Sequence, residues 1–144
     1  AIEKEEPKRR VTEVPEEKET PKLENVLEKV KRFVPHKMPK KEKEFDNMLV
    51  HYLSAFYPHI VTQQQYQKAK IDAQIGKVGI EIKYQPSASE LDRLYGQLEK
   101  YLKYLDKVIV VIGYERSREN TEAFLQRLRE RGWLDNKVFL VTIR

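Results

Sequence analysis

The 144 residues are enough for one domain, with a soft prior against two. Lys and Arg number 28 against 23 Asp and Glu, giving a formal charge of +5 and a pI of about 9.3, a mild basic bias that is compatible with a polyanionic partner without requiring one. With no cysteine, a disulfide framework, a thiolate zinc site and a thiol nucleophile are excluded, which fits an intracellular protein; no apolar run approaches the ~18 residues of a membrane span, and no signal-peptide pattern opens the chain.

Residues 1–22 alternate Glu with Lys and Arg, include Pro7, Pro15 and Pro21, and contain no aromatic residue. Such a segment buries too little surface to offset its ordering entropy, so a disordered tail or linker is expected, one that can tether the chain to a preceding domain or a partner protein. Residues 23–35 form a separate amphipathic helix ended by Pro35, with Leu23, Val26, Leu27, Val30 and Phe33 at helical spacing. Docking on the domain and docking on a partner are both open for it, including a second copy of the chain in a homodimer. The domain proper spans residues 36–144.

Within that domain, residues 39–57 read as a helix with Phe45, Met48, Leu49, Tyr52, Leu53 and Phe56 on its apolar stripe and Pro58 as its stop. Residues 60–66 read as a strand weakened by three successive glutamines. Residues 71–75 and 78–84 read as a hairpin. Ser87 and Glu90 have capping-box spacing at the head of a helix that carries Leu91, Leu94, Leu98, Tyr101 and Leu105. Residues 108–112 are a continuous aliphatic run, as in a strand buried on both faces. A helix over 118–131, with Gly132 as its C-terminal cap, and a final buried strand over 138–143 complete the chain.

The hairpin holds the chemistry. Its second strand places Glu81 and Lys83 on one face, because strand side chains alternate, and its first strand sets Asp72 across from them. Two carboxylates ~4 Å apart repel by about 4 kcal/mol at an effective dielectric of 20. A divalent cation removes that cost, and hard oxygen ligands suit magnesium, so the trio is a candidate metal site for phosphodiester hydrolysis. Asp72 followed by Glu81-Ile82-Lys83 resembles the D…(D/E)xK signature of the PD-(D/E)XK, or restriction-endonuclease-like, nuclease superfamily, although Ile71 stands where the motif's proline would be. The expected element order matches the αβββαβ core of that superfamily, an α/β fold with a mixed sheet flanked by helices, here followed by an extra C-terminal helix and strand.

The resemblance implies a magnesium-dependent nuclease acting on DNA, with manganese as a substitute ion. It makes Asp72, Glu81 and the Ile82 carbonyl the metal ligands, and gives Lys83 the task of orienting or activating water and stabilising the phosphorane. It also implies a glutamate on the preceding helix that points at the metal. Glu44 is chosen over Glu42 because it borders Met48. Gln97 and Tyr101, one helical turn apart, resemble the Q-x-x-x-Y element of RecB-type nucleases, while a plain core position serves Tyr101 equally well. Lys40, Lys41, Lys43, Lys70 and Lys100 are candidate phosphate contacts. The alternative is a nucleic-acid-binding or assembly module that keeps the fold without turnover.

Overall fold

The computed structural model describes residues 22–144. The expected tail lies outside these residues, except for Lys22. The elements in order are α1 (Leu23–Arg32), α2 (Glu42–Ser54), β1 (Val61–Tyr66), β2 (Ala69–Ile75), β3 (Val78–Tyr84), α3 (Ala88–Tyr101), β4 (Lys107–Gly113), α4 (Arg118–Glu130) and β5 (Val138–Ile143). The sheet has five strands in sequential order; β1–β2 and β2–β3 are antiparallel, and β3–β4 and β4–β5 are parallel. Short turns join the antiparallel strands, whereas each parallel pair needs a crossover, supplied by α3 and α4.

The helices cover both faces of this mixed α/β sheet. On one face Val26, Val30, Phe45, Leu49 and Leu53 of α1 and α2 pack against Ile80, Ile82, Ile109 and Val111. On the other face Leu94, Leu98, Tyr101, Phe124 and Leu128 of α3 and α4 pack against Val108, Val110 and Ile112. The aliphatic run in β4 is buried from Val108 onward, as a central strand covered on both faces requires. The final strand differs from expectation. Among the described residues β5 lies at the edge of the sheet with β4 as its one strand neighbour, and Phe139, Leu140 and Thr142 are only half-buried.

The destination left open for α1 is the domain itself. Val26 and Val30 are fully buried, and the Tyr52 hydroxyl donates to the Lys29 carbonyl at 2.8 Å. α1 therefore belongs to the core on this face of the sheet. Among the described residues no helix is long and apolar enough to cross a membrane.

Helix ends follow local chemistry. α3 carries the full capping box: Ser87 Oγ accepts from Glu90 N at 3.2 Å and Glu90 Oε1 accepts from Ser87 N at 2.8 Å. α4 ends at Glu130, and Gly132 just beyond adopts a φ of 78°, which suits a residue without Cβ.

Gly113, at the end of β4, sets how closely α2 approaches the sheet. A Cβ there would lie 2.5 Å from Phe45 Cζ and 2.6 Å from Cε2. The Phe45 ring is fully buried and cannot move away freely. Gly113→Ala should therefore cost about 1–3 kcal/mol in urea denaturation through overpacking. A loss below ~0.5 kcal/mol, the range of ordinary surface changes, would mean that the ring yields and the spacing is not set there. That spacing matters because α2 brings two acids to the site described next.

Candidate functional site

The pairing of β2 with β3 runs through Ile75↔Val78, Gln74↔Gly79 and Ala73↔Ile80, and no further. Beyond these pairs the ladder is replaced by side chains. Ile82 N donates to Asp72 Oδ2 at 2.7 Å, and Asp72 N donates to Glu81 Oε1 at 3.3 Å. The two strands part here like a fork. β3 stays paired with β4 as far as Tyr84↔Gly113, and β2 stays paired with β1. On β1, Gln63 adopts a φ of 57°, between the pairs Thr62↔Ala73 and Gln64↔Ile71, which sets it opposite Asp72. A non-glycine residue in this region is uncommon, and here it falls directly beside the fork.

The fork brings the expected trio together. Asp72 and Glu81 each accept a backbone N–H across the fork, so their carboxyls adjoin, and Lys83 Nζ lies 3.8 Å from Glu81 Oε2. Glu81 is only 3% exposed. Burial raises the pKa of both acids. For Glu81 the negative charge of Asp72 raises it further, while Lys83 opposes. For Asp72 the Ile82 N–H and then Lys83 oppose the rise. Two adjoining buried carboxyls disfavour each other's ionisation.

The N–H and C=O of one residue leave a strand on the same side. Since the Ile82 N–H reaches Asp72, the Ile82 carbonyl also faces the fork. Two carboxylates and one carbonyl are hard oxygens of the kind magnesium takes, and the raised proton affinity marks a place where positive charge is welcome. Among the described residues no three His, Cys, Asp or Glu side chains form a group that could hold a metal ion.

The helix glutamate is a correction. Glu44 turns away from the fork: its Oε1 accepts from Lys40 N at 2.7 Å, its Oε2 lies 3.5 Å from Lys37 Nζ, and these contacts, the Lys40 N–H foremost, hold its pKa low. It lines a surface hollow of about 310 Å³ with His36, Asn47 and His51. Glu42 takes the site position instead. Its Oε1 accepts from Tyr84 N at 3.2 Å, and its pKa is raised by burial and by the charges of Asp72 and Glu90, against Lys83. At ~100° per residue the two glutamates are about 200° apart, one on each flank of the Phe45–Leu49 stripe. Met48 lies on the flank away from the fork.

Asp46 was not anticipated. It sits one turn after Glu42, and burial together with the charge of Asp72 pushes its pKa up to about 6, with Lys43 opposing. The available signal was the i, i+4 acid pair Glu42 and Asp46 on one edge of the apolar stripe. Asp46 yields a pH prediction. An acid with ordinary pKa 3.8 that titrates at about 6 in the folded state binds its proton more tightly when folded, so its contribution to stability falls as pH rises from about 4 through 6. The stability of Asp46→Asn minus that of the wild type, both metal-free, should therefore widen in favour of the variant across this window in urea denaturation. A gap that stays constant with pH would remove Asp46 from the field of the fork.

Tyr101 occupies a core position. Its ring is fully buried, and its hydroxyl donates to the Lys70 carbonyl at 2.7 Å, bracing β2 two residues before Asp72. Burial and then the charges of Glu81 and Asp72 raise its pKa. Gln97 is half-buried one turn earlier. Lys40, Lys41, Lys43 and Lys70 are exposed and Lys100 is partly so. Of these lysines, Lys43 opposes the rise at Asp46.

Comparison with protein-family models, with curated proteins and with solved structures gave no match.

Proposed function

We propose that this chain is a magnesium-dependent DNA nuclease domain with the restriction-endonuclease-like fold. One observation carries the reading: Asp72 and Glu81 meet in the fork between β2 and β3, with Lys83 3.8 Å from Glu81. The element order and the mixed sheet support the fold assignment.

Asp72, Glu81 and the Ile82 carbonyl would hold the ion, which when bound supplies Lewis acidity to the phosphate oxygen and lowers the pKa of water. Lys83 contributes a fixed positive charge beside these oxygens, where it can orient the attacking water and offset the charge that builds on phosphorus. Glu42 and Asp46 complete an acidic rim on the α2 side. Tyr101 keeps β2 in register with α3, so the position of Asp72 does not depend on exposed β1 alone. The lysines at the head of α2 and along β2 and α3 are suited to phosphate contacts, which position a strand without reading its sequence.

The test is cleavage of single-stranded, duplex and branched DNA with magnesium, with manganese, and with chelator. Cleavage that needs either ion supports the proposal. Binding without cleavage under both ions would favour a binding module instead.

A further inference from the structure

We propose that Tyr66 and Tyr104 form a seat for an unpaired base, so that the DNA entering the fork carries single-stranded character; the identity of the strand as DNA rests on the nuclease reading above. The two rings are stacked, with centroids 5.0 Å apart and planes 17° apart. Tyr66 is the half-buried member and packs into the α3/α4 core, whereas Tyr104 is 43% exposed. Tyr104 is also held in place at its ends. Its hydroxyl accepts from Gln67 Nε2 at 3.3 Å, and its carbonyl accepts from Lys77 Nζ at 3.3 Å. A fixed aromatic ring with one face covered and nearly half its surface open is ready to accept the next member of a stack.

Charge and position point to a nucleic acid strand as that member. Lys68, Lys70 and Lys103 are exposed in the same segments, and Lys100 is partly so. Of the nearby acids, Glu99 is paired with Arg131 at 3.3 Å, which leaves Asp106 as the exposed counterweight. Tyr66 pairs with Ala69, three residues before Asp72 on β2, so the seat lies roughly 10 Å from the fork at ~3.3 Å per residue. Tyr101, which grips the Lys70 carbonyl between the two places, lies in the same core layer as Tyr66. Stacking on an aromatic ring amid lysines is how proteins hold single strands without reading sequence. Bases inside a duplex already stack on both faces and gain nothing from the ring.

The test uses the full chain in chelator, so that no cleavage interferes. Fluorescence anisotropy compares a labelled thymidine oligonucleotide with a hairpin duplex, for wild type, Tyr104→Leu and Tyr104→Trp, each checked by melting temperature. The wild type should prefer the single strand. Tyr104→Leu should lose about tenfold on it while duplex affinity stays nearly constant, and Tyr104→Trp should keep or exceed wild-type affinity. Equal losses on both probes, no loss in Tyr104→Leu, or failure of Tyr104→Trp to bind the single strand would overturn the seat. Loss through Tyr104 in a protein that cleaves nothing with either ion would overturn the nuclease reading and leave the seat standing.

Discussion

Lys83→Met should lower the rate of metal-dependent DNA cleavage at least ~100-fold, about 2.7 kcal/mol of barrier, while the protein remains folded. The methionine keeps most of the stem and removes only the charge, which in the wild type lies 3.8 Å from Glu81 Oε2 and acts on Asp72 and Glu42 as well. Ion binding should survive, because Lys83 supplies no ligand, so the loss should appear in turnover and not in the ion concentration needed for half-maximal activity. Wild-type-like cleavage by Lys83→Met would take the lysine out of the mechanism. A large rise in ion requirement with unchanged turnover would recast it as a support for the carboxylates.

Glu81→Gln should reverse sign between two conditions. In chelator the variant should be more stable than the wild type, by about 1 kcal/mol, because a neutral amide replaces a carboxyl that burial and the charge of Asp72 both disfavour. The amide can still accept from Asp72 N and donate to the Asp72 carboxylate. Lys83 does not become an orphan, since Asp72 and Glu42 remain in its field. In magnesium the order should invert. A ligand that binds only the folded state adds about 2.7 kcal/mol at 100 times its dissociation constant, and Glu81→Gln should lose most of that gain. Thermal melts with and without magnesium check both halves. Equal magnesium stabilisation of the two proteins would exclude Glu81 as a ligand.

The parts of this molecule that were legible in the sequence are those set by local periodicity. The aliphatic run of β4, the capping box at Ser87 and Glu90, and the alternation that puts Glu81 and Lys83 on one face needed only neighbours within a few residues. The parts that were not legible depend on which way an element faces after packing. Glu42 and Glu44 are both acids in the first turn of α2, and only the seating of Phe45 against Gly113 decides which flank meets the fork. Asp46 follows Phe45 directly, and which side of the apolar stripe meets the fork depends on the layer that α2 packs against. β5 was read as buried because its composition is apolar, yet an edge strand with one neighbour keeps several of those side chains half in solvent. The destination of α1 likewise depended on a groove formed by residues far away in the chain, such as Tyr52.

The fork also divides the site between two regions of unequal cooperativity. Glu81 and Lys83 belong to β3, which is zipped to β4 along seven residue pairs and buries Val78, Ile80 and Ile82 in the core under α1 and α2. Asp72 belongs to β2, which meets β3 through three pairs and leans on a solvent-exposed outer strand. Sub-global openings follow such differences in protection, so the β1–β2 arm can detach from the sheet at a lower free energy than the β3–β4 centre unfolds. When it does, the carboxylate pair comes apart while Lys83 stays where it is. The site is thus lost before the β3–β4 centre unfolds, and an ion held by Asp72 and Glu81 would act as a clasp across the seam with the fewest strand pairs.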